Sequence, residues 1–143
     1  MAIAMNGGST QYTSTFTASP TAARAITVPD ASFTLAGTDA VQTFSASQRG
    51  TVTTDNDLSF DMSVTNNFKC TPTGTGALTF TNITAGQSGY VLLVNTGGYA
   101  ITAAATTKVN TTFLSTVSTA GTYLCSYFTD GTNVYVTTSG AMS

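Results

Sequence analysis

The sequence predicts an all-β protein: an antiparallel, jelly-roll-like β-sandwich behind an extended N-terminal arm. Three observations lead there. Of 143 residues, 32 are Thr, which packs well on a pleated sheet, while Glu is absent and Leu scarce, removing strong helix formers. Apolar and polar residues alternate at period two in several short runs, the signature of strands with one buried face. Turn-forming clusters recur about every ten residues, as in folds built from many short strands.

Residues 1–23 carry no charged side chain and sustain no apolar period, so they build no core of their own. We read residues 1–30 as an arm that orders on a partner by adding to a sheet edge. Its candidate apolar anchors are Met1, Ile3, Met5, Tyr12 and Phe16. Residues 31–143 form the sandwich body. Leu58, Phe60, Met62 and Val64 alternate with Ser59, Asp61 and Ser63, and Phe68, Cys70 and Pro72 alternate with Asn67, Lys69 and Thr71. Leu78 and Phe80 continue the pattern. Tyr90 to Val94 is a continuous apolar run, read as a strand buried on both faces, and Tyr123 to Phe128 is apolar on both alternations except at Ser126. The expected core is Phe60, Met62, Leu78, Phe80, Val91, Leu93, Leu124 and Val136.

Turns are expected at Pro29-Asp30, Asp55-Asn56-Asp57, Thr73 to Gly76, Ala85-Gly86-Gln87 and Thr96-Gly97-Gly98. Asp130-Gly131, set between Tyr127-Phe128-Thr129 and Thr132 to Val136, signals a hairpin. Ala103 to Ala105, flanked by Thr, is read as strand or loop. No internal repeat of fixed period is visible.

Only 7% of residues are charged, the formal net charge is -2, and there is no His or Trp. Four cations, Arg24, Arg49, Lys69 and Lys108, make no basic footprint, so nucleic acid is excluded as a partner. Without His, neither a His-based catalytic triad nor a His-ligated zinc site can be built. The longest apolar run is too short to cross a bilayer, and the N-terminus lacks a secretory pattern, so no membrane association or export is expected. Cys70 and Cys125 sit in alternating apolar patterns and are expected as buried free thiols. A surface this poor in charge favours a protein whose faces are covered by partners.

Residues that could carry chemistry have simpler structural readings. Asp55-Asn56-Asp57 resembles the start of a calcium loop but lacks the Gly and the distal Glu, so it reads as a turn. Asp57 and Asp61 share one strand face and could share a proton, but solvated carboxylates are the reading preferred. Lys69 and Lys108, the cations weighed as bases for a nucleophilic hydroxyl, lack the Ser-x-x-Lys spacing. Gly74 and Gly76 are turn glycines rather than a phosphate loop. The Asn82 and Asn110 sequons are expected by chance in a Thr-rich chain. Tyr90, Tyr123 and Tyr127 are assigned to the core, leaving Tyr12, Tyr99 and Tyr135 as surface rings for sugar stacking. The expectation is a protein that is not an enzyme and needs no cofactor or metal.

Three stretches resemble surface proteins of tailed bacteriophages: Ala22 to Ser32, Leu78 to Tyr90, and Gly121 to Val136. The first resembles a phrase that precedes the β-body in such proteins, and the second and third resemble β-modules of capsid decoration (cement) proteins, tail fibres and tailspikes. Together the resemblance covers roughly residues 22–138. It implies a structural virion protein on the outer capsid surface, bound to the major capsid protein and bridging neighbouring capsomers. It also implies assembly in the bacterial cytoplasm, which would keep the thiols reduced, and a homotrimer, with a dimer next in order. The alternative is a tail-fibre or tailspike module binding a host cell-surface glycan. A chain of this length without a stalk favours cement, and a bacterial adhesin would need an export signal.

Overall fold

A computed structural model describes residues 47–142. The arm at residues 1–30, its anchors Met1, Ile3, Met5, Tyr12 and Phe16, the boundary at residue 31 and the Pro29-Asp30 turn all lie outside the described residues. Within them the chain forms β1 (Val52–Thr54), β2 (Ser59–Asp61), β3 (Asn67–Cys70), β4 (Gly76–Thr81), β5 (Ser88–Asn95), β6 (Ile101–Ala103), β7 (Thr107–Val109), α1 (Phe113–Val117), β8 (Gly121–Thr129) and β9 (Val134–Met142).

The strands make two sheets, a six-stranded one in the order β1-β3-β5-β8-β9-β7 and a three-stranded one in the order β2-β4-β6. From β1 to β6 the chain changes sheet at every turn. Successive passes stack, so β1/β3 and β3/β5 pair in parallel in one layer and β2/β4 and β4/β6 in the other. This part is solenoid-like. Its passes differ in length: Val52 registers with Asn67 and Asn67 with Tyr90, offsets of 67 − 52 = 15 and 90 − 67 = 23 residues. That inequality explains why no fixed repeat is visible in the sequence. The direction then reverses. β8 runs antiparallel to β5 from Ser88↔Phe128 to Asn95↔Gly121, β9 returns antiparallel to β8, and β7 lies parallel to β9.

The all-β class expected from the sequence holds, with α1 the one helix among the described residues. The antiparallel, jelly-roll-like pairing is corrected: five of the seven strand pairings are parallel. The reason is local. A solenoid corner and a hairpin turn use the same Asx and Gly chemistry, and period-two alternation does not encode the direction of a neighbour. At the β1–β2 corner the Asp57 carboxylate accepts the Ser59 N–H at 2.8 Å, and the Leu58 carbonyl accepts the Thr79 N–H at 2.9 Å. Between them Leu58 is buried with φ of 68°, a left-handed conformation that a leucine holds only when its neighbours over-determine it.

The core lies between the layers. Phe60 of the small sheet packs 5.0 Å from Phe68 of the large one and 5.4 Å from Phe80, and Phe80 packs 5.1 Å from Tyr127. Phe60, Met62, Leu78, Phe80, Val91, Leu93 and Val136 are buried as expected. Leu124 is not, because β8 buries its other alternation, Tyr123, Cys125 and Tyr127. Val64 is also exposed: β2 ends at Asp61, whose carboxylate accepts the Ser63 N–H and hydroxyl and turns the chain away. Cys70 and Cys125 are buried and unbridged, as expected.

The β8–β9 connection is a four-residue loop, Asp130 to Asn133, rather than the two residues that Asp130-Gly131 suggested. The Asp130 carboxylate accepts the Thr132 and Asn133 N–H groups at 2.8 and 2.7 Å, and Gly131 has φ of 92°. The sequence reading did not foresee α1. Asn110 starts it by accepting the Phe113 N–H at 2.8 Å, and Phe113 and Val117, four apart on one face, bury it against β6 and β9.

Candidate functional site

The outer face of the six-stranded sheet is the candidate site. Strand register places its residues in rows. One row runs Val52, Asn67, Tyr90, Ser126, Thr137; the next runs Thr54, Lys69, Leu92, Leu124. A third holds Ser88, Phe128, Tyr135 and Lys108, and a fourth Val94, Thr122 and Met142. Their opposite alternation, including Phe68, Val91, Leu93, Cys125 and Val136, fills the core. Tyr90 is 52% exposed, Phe128 51%, Tyr135 47% and Leu124 36%. A shallow apolar depression of about 310 Å³ lies where Val52, Asn67, Lys69, Tyr90, Leu92 and Leu124 meet. A second, of about 270 Å³, opens beside Lys108, Asn110, Tyr135 and Thr137.

The charge on this face is sparse. Lys69 and Lys108 are its cations, and no acidic residue occurs in any of the six strands. The Lys108 ammonium donates to the Ala105 carbonyl at 2.7 Å. The acids among the described residues lie outside these strands: Asp55 and Asp57 in the corner between β1 and β2, Asp61 at the end of β2, and Asp130 in the β8–β9 loop, where it accepts the hydroxyl of Tyr135 on the face at 2.9 Å. Partial burial, then a hydrogen bond and repulsion from Asp57, raise the Asp55 carboxyl above its ordinary value. At the loop, hydrogen bonds from the Asn133 and Thr132 amides and the Tyr135 hydroxyl hold Asp130 down at about 2. The same Asp130 contact pushes the Tyr135 phenol up.

The residues weighed for chemistry have structural roles. The Asp61 carboxylate is engaged by Asn82 and Ser63, whose hydrogen bonds lower it, while the Asp57 carboxylate is engaged by the Ser59 N–H. Asn82 is engaged by that contact and Asn110 by the start of α1. Asn95, fully buried, accepts the Tyr99 N–H at 2.9 Å and donates to the Tyr99 and Val117 carbonyls at 2.9 and 2.8 Å, tying β5 to the end of α1. Burial pushes both thiols up to about 11. Among the described residues no three His, Cys, Asp or Glu side chains gather to hold a metal ion, and no helix is long and apolar enough to cross a membrane.

Tyr123 and Tyr127 are core, as the sequence suggested, and Tyr135 is on the surface. Tyr90, Leu124 and Phe128 were missed as surface residues. The signal was present: the runs 90–94 and 123–128 are apolar on both alternations, and the second apolar face is the outer one. No family model matches the chain, and no curated protein or solved structure is found to match it.

Proposed function

We propose that this is a structural assembly protein of a tailed-phage virion, a cement protein that binds the outer capsid surface and bridges neighbouring capsomers. The observation that carries the reading is the broad, nearly uncharged apolar face on a two-layer β-body, a surface suited to burial by protein. It complements the phage-like phrases at Leu78 to Tyr90 and Gly121 to Val136. The arm at residues 1–30, uncharged through residue 23, supplies the capsid attachment, because most of its side chains lose little hydration on docking and its backbone can add to a sheet edge. Hundreds of weak copies then act together on a shell that fails at its junctions. The function needs no proton transfer, cofactor or metal.

The experiment mixes the purified chain with undecorated capsids and images the particles. Density at capsomer junctions is the expected result, and a chain lacking residues 1–24 should stay folded yet bind more weakly. The second reading, a tail-fibre or tailspike module for a host glycan, is favoured by the rings of Tyr90, Phe128 and Tyr135 on one exposed face, which could stack on sugars. Binding to host polysaccharide with bare capsids would decide for it and against cement.

A further inference from the structure

Among the described residues seven large hydrophobics are exposed, and six of them, Val52, Tyr90, Leu124, Phe128, Tyr135 and Met142, lie on the outer face of the six-stranded sheet. The seventh, Val64, follows β2. Aromatic side chains carry ~200 Å² each, so six residues near half exposure offer on the order of 500 Å² of apolar area. A stable dimer takes about 800 Å² from each partner, of which about 65% is apolar in homodimers, so the face supplies what one copy must contribute. The composition agrees, since rings and methionine are enriched at such interfaces and charge is depleted.

The face carries both a hollow and a ring to fill it. The hollow is the depression of about 310 Å³ beside Lys69, Tyr90, Leu92 and Leu124. The ring is Phe128, half exposed near the end of β8 and two residues before Asp130. Strand register sets the two on opposite sides of Tyr90. Lys69 lies one strand to one side, level with Leu92; Asp130 follows β8, one strand to the other side and beyond the Ser88↔Phe128 row. At ~3.3 Å per residue along a strand and ~4.8 Å between strands, Lys69 and Asp130 stand roughly 20 Å apart, too far to pair within one chain. In a twofold contact residue i meets j wherever j meets i, so an axis near Tyr90 brings Lys69 and Asp130 together on both sides. The same rotation lays Phe128 over the hollow, because Phe128 travels with Asp130 and the hollow with Lys69. Lys108, on the outermost strand β7, donates to its own Ala105 carbonyl and takes no part.

We propose that two copies of this chain associate through the outer faces of their six-stranded sheets about a twofold axis near Tyr90, the Phe128 ring of each filling the hollow of the other and Asp130 of each meeting Lys69 of the other. Asp130 enters the contact as a carboxylate already fixed in place by the Thr132 and Asn133 amides and the Tyr135 hydroxyl. The contact accounts for strands that are apolar on both sides: the small sheet covers one side and the second copy the other. It does not rest on the cement reading, and it leaves residues 1–30 for the capsid.

Sedimentation of the full chain at micromolar concentration is expected to give a species of two chain masses. Phe128→Ala, on the solvent side of β8, should weaken association at least about tenfold with an unchanged circular dichroism spectrum, while Val64→Ala, off the face, should leave it intact. Lys69→Asp and Asp130→Lys should each dissociate the dimer, because each alone sets like charges together at both pairs. Mixed in equal amounts, the two variants should form a heterodimer, since both pairs are then of opposite charge. Asp130→Asn, which keeps an acceptor in the loop, serves if the lysine variant unfolds: mixed with Lys69→Asp it should associate more tightly than Lys69→Asp alone, and no gain overturns the pairing. A parent chain that is monomeric or trimeric overturns the proposal, as does a dimer that survives Phe128→Ala with the fold intact, or a mixture of folded charge variants that stays monomeric. A monomer that binds capsids through Phe128 would assign the face to the capsid protein, overturning this inference while sparing the cement reading. A dimer that ignores capsids would do the reverse.

Discussion

Gly89→Ala is the substitution that most directly tests how the parallel passes are locked to the antiparallel half. Gly89 lies in β5, and a Cβ there would stand 1.7 Å from the Asn66 carbonyl oxygen and 2.9 Å from the Tyr127 hydroxyl. Real Cβ contacts essentially never fall under 3.0 Å, so the oxygen must retreat by about 3.0 − 1.7 = 1.3 Å. That carbonyl accepts the Tyr90 N–H at 3.1 Å and the Tyr127 hydroxyl at 2.7 Å. Both bonds are lost in the shift. Each contributes about 1 kcal/mol, and stranding the buried phenol adds about 1–2 kcal/mol. Restricting the unfolded chain returns about 0.5 kcal/mol, leaving a net loss of roughly 3 kcal/mol. For a body of this size that lowers Tm by about 15 °C. The comparison is Gly74→Ala, where nothing stands within 4 Å of the new methyl group and little change is expected. Thermal unfolding by circular dichroism reads the difference. Tyrosine absorbance titration gives a second reading, since burial pushes the Tyr127 phenol up to about 12 and the variant should bring it back toward 10. If the two variants melt within about a degree of each other, the account of this junction is wrong.

Three further outcomes follow from the same structure. Asn95→Ala removes three hydrogen bonds from a fully buried site and should cost about 3 kcal/mol, with faster amide exchange in α1; an unchanged urea midpoint would count against it. With both thiols pushed up to about 11 by burial, the native chain at pH 8 should resist iodoacetamide, and the unfolded chain should expose two groups. Rapid native labelling, or no thiol after unfolding, would contradict this. Asp130 is held at about 2 against an ordinary 3.8, so its contribution is present above about 4 and is lost as pH falls toward 2. Asp130→Asn should flatten that acid limb of the stability profile, leaving a part due to Asp61, and an unaltered limb would refute the assignment.

Phe60, Leu78, Phe80 and Val91 could be placed in the core from sequence because each belongs to a run in which only one alternation is apolar. Leu124 could not, since its run is apolar on both alternations and the choice of face is made by the layer opposite. Strand direction was hidden for a related reason. Asp55-Asn56-Asp57 turns the chain from one sheet into the other, yet the same residues could have closed a hairpin. α1 holds a single Leu, between Phe113 and Ser115, and no run of strong helix formers; the Asn110 side chain accepting the Phe113 N–H and the burial of Phe113 and Val117 make it. The candidate face was legible only as an excess of apolar residues whose cover the sequence did not name.

The reversal at β8 imposes a delay on every new copy. On one side β5 pairs with β3, which is made before it; on the other it waits for β8, completed 129 − 95 = 34 residues later. At ~5–20 residues per second, that wait lasts roughly 2–7 s. Throughout it, an eight-residue edge containing Tyr90-Val91-Leu92-Leu93-Val94, without charge or proline, is open to any other strand in reach. The soluble yield of the protein is therefore coupled to decoding speed between Thr96 and Thr129. Synonymous changes that slow that interval should send more of a chemically unaltered chain into aggregates, and changes that speed it should send less.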